Sequence, residues 1–253
     1  MKINEILDKR STILTDENEI MFQDIHRNCS EALVALSKDK IIYKGLRNIR
    51  DDILLTDPKL KKRKSKNTEN YYTLLFDNLP SWKEYPKRSR SLICSTSRSV
   101  ASEYGNSYLV LPFNGAKIGV CPTMDMWLSF LDYLKGKDLA DFNYDLKKIL
   151  LHEPKNETNY RELLNSIFIY KNTIVKNMLY LPDNIRHMLE LATNIKDTQK
   201  ALDELFNPNI AGFKVSNIHQ IPPRSESYEV WTDSKSYLIN VNSMLYRNIL
   251  INS

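Results

Sequence analysis

Ser91-Leu92-Ile93-Cys94-Ser95-Thr96-Ser97 is the stretch on which the fold turns. A short apolar run ending in small hydroxyl residues reads as a strand that stops where the chain turns. A short helix is expected at 98–104, with the small residue Ala101 inside it and Tyr104-Gly105 closing it. Two more strands are expected at 107–112 and 116–121. Asn114-Gly115 stands between them, a dipeptide suited to a two-residue hairpin turn. Upstream, 40–44 reads as a strand running into Tyr43-Lys44-Gly45. Downstream, beta character returns at 211–217, 228–232 and 236–241, and the second of these opens on Tyr228-Glu229-Val230-Trp231.

Helices fill the rest. In 17–38, Ile20, Met21, Ile25, Cys29, Ala32, Leu33 and Leu36 recur near the helical period, with Asp16 as the expected cap. A helix at 68–79 is stopped by Pro80. Residues 124–206 are helical in pattern. The clearest helix, 184–206, carries Ile185, Leu189, Ala192, Leu202, Leu205 and Phe206 on one stripe. Residues 51–66 and 80–90 read as polar, basic loops. Helices, strands, helices and strands in blocks imply one α+β domain over 1–253, with an N-terminal helical region at 1–38 and a helical insertion at 124–206.

At 253 residues with 42% apolar and 26% charged side chains, the chain has the composition of a soluble globular protein. No run approaches the roughly 20 apolar residues of a membrane helix. The first residues are charged where a secretory signal would be apolar. An intracellular, cytoplasmic protein without a membrane partner is expected. Cys29, Cys94 and Cys121 are scattered, which fits a reducing compartment and argues against a disulfide framework or zinc site. His26, His152, His187 and His219 show no metal-ligand spacing, so no metal is expected. The chain has no P-loop, no G-x-G-x-x-G and no His-Glu-x-x-His, which counts against a triphosphatase, a dinucleotide dehydrogenase and a zinc hydrolase.

The formal charge of +5 is concentrated. Residues 59–90 hold ten Lys/Arg against three Asp/Glu, while the remainder holds 26 against 28. Tyr71, Tyr72, Trp82 and Tyr85 interleave with these charges. Cations with aromatics suit single-stranded nucleic acid, whose bases stack and whose phosphates pair with Lys and Arg. Lys61, Lys62, Arg63, Lys64, Arg88 and Arg90 are the candidate contacts. The bland reading is a solvated loop, and Tyr72 and Phe76, four apart on a helix, read as packing inward.

A basic strand, a Ser-Thr-Ser strand end and a late strand opening on glutamate, in that order, resemble the Arg-Ser-Glu class of ADP-ribosyltransferases. The matching pieces cover about a third of the chain. Ser95-Thr96-Ser97 matches the family's Ser-Thr-Ser without substitution, 101–105 fits its following helix, and Glu229 matches its catalytic glutamate. The family's first-strand arginine falls on Lys44, with Arg47 as the alternative cation. Ser227 stands where many members carry Glu or Gln. The stretch from Leu79 to Pro122 also looks like proteins of tailed phages and their hosts.

The resemblance implies a split, mostly antiparallel sheet and a mono-ADP-ribosyltransferase that takes NAD as donor. It implies a toxin or a phage–host conflict factor, with an inhibitor or antitoxin protein as a further partner. Glu229 and Ser95 would be catalytic. Lys44 or Arg47 would hold phosphate, and Thr96, Ser97 and Tyr104 would line the cofactor pocket. Breaking the nicotinamide–ribose bond passes through an oxocarbenium-like state, which a carboxylate stabilises. The acceptor is expected to be RNA before protein. The alternatives are a catalytically inactive module of the same fold that binds nucleic acid or a partner protein, and a structural protein of a phage.

Overall fold

The computed structural model describes residues 16–60, 63, 71–150, 159–223 and 225–252. Two helices, α1 (Asp16–Asn28) and α2 (Ser30–Leu36), lead into strands β1 (Tyr43–Leu46) and β2 (Ile53–Thr56). Helix α3 (Tyr71–Asn78) precedes β3 (Leu92–Ser95), the short α4 (Arg98–Ser102), β4 (Asn106–Pro112) and β5 (Ile118–Val120). The helical block follows: α5 (Leu139–Leu150), α6 (Tyr160–Ile169), α7 (Lys171–Asn177), α8 (Asp183–Leu191) and α9 (Ile195–Leu205). Strands β6 (Lys214–Ser216), β7 (Glu229–Thr232) and β8 (Ser236–Asn240) and a terminal helix, α10 (Met244–Asn252), complete the α+β order.

The strands form one sheet in the order β2-β8-β4-β1-β3-β7-β5-β6, and its pairings are antiparallel. Strand alternation feeds two separate cores. Cys94 and its partner Val230 enter a core with Ile25, Leu33, Tyr43, Leu109 and Ile239, under the N-terminal helices. Ile93 and its partner Trp231 pack into the other, an aromatic core with Trp82, Phe130, Phe206 and Phe213.

Four expectations are corrected. Asn114-Gly115 does make a turn, with Gly115 at φ 74°, but it does not close a hairpin. β4 pairs with β1 and β8, whereas β5 pairs with β7 and β6. Capture of the turn by the N-terminal helices explains the difference. Asn114 Oδ1 accepts from Glu31 N at 3.1 Å and Ser30 Oγ at 3.2 Å, its amide donates to Arg27 O at 3.0 Å, and Gly115 N donates to Glu31 Oε2 at 3.0 Å. Cys29, at the start of α2, makes no side-chain cap. Asn114 thus satisfies a first-turn donor of α2 from across the molecule.

The single helix expected at 17–38 is accordingly two, broken at Cys29, whose φ of −124° is not helical. The helix expected at 184–206 is also two. Asn194 Oδ1 accepts from Lys196 N and Asp197 N at 2.8 and 3.2 Å, and Asp197 Oδ2 accepts in return from Thr193 N at 2.8 Å. That reciprocal cap starts a new helix despite the continuous apolar stripe. The loop expected at 51–66 contains β2, which pairs with β8.

Gly45 lets α4 lie on β1. A Cβ there would stand 2.0 Å from Ala101 O and 2.8 Å from Tyr104 Cβ. Gly45→Ala should therefore destabilise the fold by about 2 kcal/mol or more. Urea denaturation would check this, and an unchanged midpoint would show that α4 is free to lift away.

Candidate functional site

The strand order sets β1, β3 and β7 side by side, so the basic, Ser-Thr-Ser and glutamate strands are neighbours although they lie far apart in sequence. Ser95 stands opposite both Tyr43 and Glu229 in register. Alternation puts Ser95 and Glu229 on the face of Ile93 and Trp231. Lys44, on β1, donates from Nζ to Ile93 O at 2.7 Å.

Glu229 is held from several sides. Arg88 Nη1 lies 2.8 Å from Oε1, with the Arg88 side chain 3% and the Glu229 side chain 14% exposed. Met126 N donates to Oε2 at 3.3 Å, and the Cys121 thiol approaches Oε1 at 3.9 Å. The Glu229 backbone is clipped as well: its N–H donates to Thr123 O at 3.1 Å and its carbonyl accepts from Cys121 N at 2.9 Å. Asp125 is half-buried nearby. Burial pushes its carboxyl upward and the charge of Glu229 adds to that, while the N–H of Trp127 opposes it.

Arg88 reaches this position from a short 3-10 turn. Asp77 steadies that turn by accepting from Ser89 N at 3.2 Å, and burial raises the Asp77 carboxyl above its ordinary value. The guanidinium lies over the Trp231 ring, 5.0 Å from its centroid, and the ring is anchored by Trp231 Nε1 donating to Pro86 O at 2.8 Å. Gly119, the register partner of Trp231, makes room for that ring, because a Cβ there would fall 2.2 Å from it. Burial disfavours the charge on Arg88, and the charge of Glu229 with its hydrogen bond opposes that, so the guanidinium stays protonated. Lys44 is different. Burial lowers its pKa, and Arg63 and Arg88 lower it further, against the opposing charge of Glu229. Burial pushes the Cys94 thiol to about 12 and Cys121 well up, so both are held protonated.

The remaining candidates fall into three groups. Thr96 is fully buried and clamps the approach to β7. Its hydroxyl donates to Glu226 O at 2.6 Å and accepts from Tyr228 N at 2.9 Å, and its N–H donates to Tyr228 O at 3.0 Å. Ser95 Oγ accepts from Ser97 N at 3.1 Å, and Ser97 Oγ meets Ser99 Oγ at 2.7 Å, so Ser97 makes no side-chain cap for α4. Tyr104 is exposed beyond α4. Partial burial raises its phenol, and the charges of Asp125 and Glu229 reinforce the rise while Arg47 opposes it. Arg47 is exposed on the turn after β1.

The nucleic-acid face is corrected. Tyr71, Tyr72, Trp82 and Tyr85 are buried in the aromatic core and offer no ring for a base to stack on. Tyr72 packs edge-on to Phe76 with centroids 5.7 Å apart. Arg88 belongs to Glu229 rather than to an exposed phosphate contact. Arg90 is exposed and Arg63 half-buried, while Lys61, Lys62 and Lys64 lie outside the described residues. Sequence reasoning passed over Asp125, Thr123 and Cys121. Residue type gave no signal for them, because their place depends on β5 lying against β7.

An apolar groove of about 620 Å³ lies elsewhere, between α1 and the β2–β8 edge, lined by Ile20, Met21, Leu55 and Tyr237 among others. None of the candidate residues borders it. Among the described residues no helix is long and apolar enough to cross a membrane, and no group of His, Cys, Asp and Glu is placed to hold a metal ion. No family model, curated protein or solved structure matches this chain.

Arg88→Met alone should cost about 2–3 kcal/mol because it strands a partly buried carboxylate. Adding Glu229→Gln should recover part of that loss, a coupling that urea denaturation of both single variants and the double variant would measure. Additive losses would show that the pair is not coupled. Lys44 gives a pH signature. Its folded-state pKa is lowered, so at pH values between that and the ordinary 10.5 the unfolded chain binds more protons and stability rises with pH. Lys44→Met should flatten this rise, as read from denaturation midpoints across the alkaline range; an unchanged slope would contradict it.

Proposed function

We propose that this chain is a mono-ADP-ribosyltransferase that uses NAD to modify a macromolecule. The observation that carries the reading is the juxtaposition of Lys44, Ser95 and Glu229 on three adjacent strands, around one partly buried carboxylate. Arg88 and the N–H of Met126 fix the direction of the Glu229 carboxylate. A carboxylate held this way stabilises positive charge growing on a ribose and orients the ribose 2′-hydroxyl. The bond between ribose C1 and the nicotinamide nitrogen breaks, and nicotinamide leaves with the electron pair. The acceptor's nucleophile then bonds to C1 and gives up its proton, for which Glu229 is the placed base. Ser95 supplies a hydroxyl beside it, Tyr104 an exposed ring, and Lys44 or Arg47 a cation for phosphate. Unpartnered guanidinium donors on Arg63 and Arg88 fit a diphosphate-bearing substrate.

With the aromatics of 71–85 buried, support for an RNA acceptor reduces to the charge of residues 59–66, and a protein side chain stands level with it. The setting proposed is a toxin or a factor in phage–host conflict. One observation favours the inactive-module alternative: the Lys44 ammonium is turned inward onto Ile93 O, where it is poorly placed for a ligand phosphate. A thermal shift with NAD or nicotinamide separates the two readings, because a site that recognises neither belongs to the module.

Glu229→Gln should lower nicotinamide release from NAD by about a hundredfold or more while circular dichroism stays unchanged. Normal turnover in that variant would remove Glu229 from the chemistry. Incubating cell lysate with labelled NAD, then digesting with nuclease or protease, assigns the acceptor class.

A further inference from the structure

We infer that the open edge of β2, with the apolar groove beside it, docks an extended segment of another protein in which two apolar residues lie between basic ones. The inference does not rest on the transferase reading. β2 is the end strand of the sheet and pairs with β8 alone. Its phase is fixed. Ile53 stands opposite Ile239, and one step earlier Asn240 N donates to Asp52 O at 2.8 Å. Antiparallel alternation then turns the backbone groups of Leu54 and Thr56 toward β8 and those of Ile53 and Leu55 outward. No described strand pairs with that outer side. Sheet edges are ordinarily blunted by charge, proline or a bulge. The opposite edge, β6, is short and carries Lys214. β2 reads Ile-Leu-Leu-Thr and pairs without interruption.

The side chains agree with the backbone. Ile53 and Leu55 line the groove with Ile20 and Met21 of α1, and Leu55 is 49% and Ile20 66% exposed. A strand added to this edge would set its residues opposite Ile53 and Leu55 on the same face, over the groove. Charge decides between occupants. Asp51 and Asp52, before β2, are exposed, and Asp57, after it, is half-buried. Arg50 is the exposed cation beside them. Lys59 is paired with Asp233 at 3.4 Å, and Arg27, in the groove, with Asp24 at 2.6 Å. Negative charge is therefore in excess at the ends of the strand. A second copy, paired about a two-fold axis with Ile53 opposite Leu55, would bring Asp51 against Asp57 at both ends, and like charges so placed repel. A foreign segment with basic residues opposite Asp57 and Asp51, and apolar ones opposite Leu55 and Ile53, meets every position favourably. Backbone pairing supplies its affinity and the alternate side chains its specificity.

Fluorescence anisotropy of the labelled peptide Lys-Ser-Ile-Thr-Val-Ser-Lys with the full chain tests this, beside a second peptide in which glutamates replace both lysines. The lysine peptide should bind with a Kd below about 1 mM, and the glutamate peptide about tenfold more weakly or worse. Leu55→Pro removes one outward N–H, a change that an edge strand tolerates, and should weaken binding by about tenfold or more while circular dichroism stays unchanged. Asp51→Lys, at an exposed position, should narrow or reverse the preference between the peptides. The inference is overturned if the lysine peptide does not bind, which covers an edge already occupied by the chain itself. It is overturned if both peptides bind alike, or if folded Leu55→Pro binds as the parent does. Should Leu55→Pro fail to fold, Asp51→Lys decides, and an unchanged preference overturns the inference. A dimer in sedimentation that the lysine peptide dissociates would assign the edge to a second copy and overturn it too.

Discussion

A guanidinium and a carboxylate, removed from water together, impose the central constraint on this molecule. Neither Arg88 nor Glu229 could be buried alone. Several features serve the pair: the flat ring of Trp231 beneath the cation, the bare backbone of Gly119 beneath the ring, the Asp77-braced turn that aims the arginine, and the two backbone bonds that hold the glutamate. Stability does not account for such an arrangement. Replacing a buried ion pair with well-packed apolar groups is often neutral or stabilising by about 1–4 kcal/mol. The pair is better understood as a way of fixing one carboxylate in place on the sheet.

The sheet makes that wall from distant pieces. β7 enters between β3 and β5, so Glu229 meets Ser95 on one side and the Cys121–Thr123 backbone on the other. Until β7 is in place, Arg88 has no carboxylate partner and Trp231 is missing from beneath it. Completion of the site therefore depends on non-local pairing, the slow kind in folding. The two cores share this dependence, since alternate residues of β3 and β7 enter each of them.

Much of this was legible in the chain. The strands at 91–95, 228–232 and 236–241, the α+β class and the inward packing of Tyr72 on Phe76 follow from alternation and helical spacing, which local residue order encodes. What was not legible was tertiary. Asn114-Gly115 has the chemistry of a hairpin, but a helix start with no cap of its own competes for Asn114 and wins. The stripe through 184–206 hides a break that only the capping pattern of Thr193, Asn194 and Asp197 marks, and periodicity outvoted it. Tyr71, Trp82 and Tyr85 read as stacking rings because they alternate with lysines, yet burying rings of that size outweighs exposing them. Arg88 looked like one basic residue among many. Its role depends on which strand lies beside it, and a single sequence does not contain that information.

Thr96 has a consequence of a different kind. By fastening both ends of the Glu226–Tyr228 segment, it holds the approach to Glu229. Ser225 just before that segment, and the side chains of Glu226 and Ser227 within it, stand exposed. New side chains can therefore be placed at these positions while the Glu229 carboxylate stays where the backbone holds it.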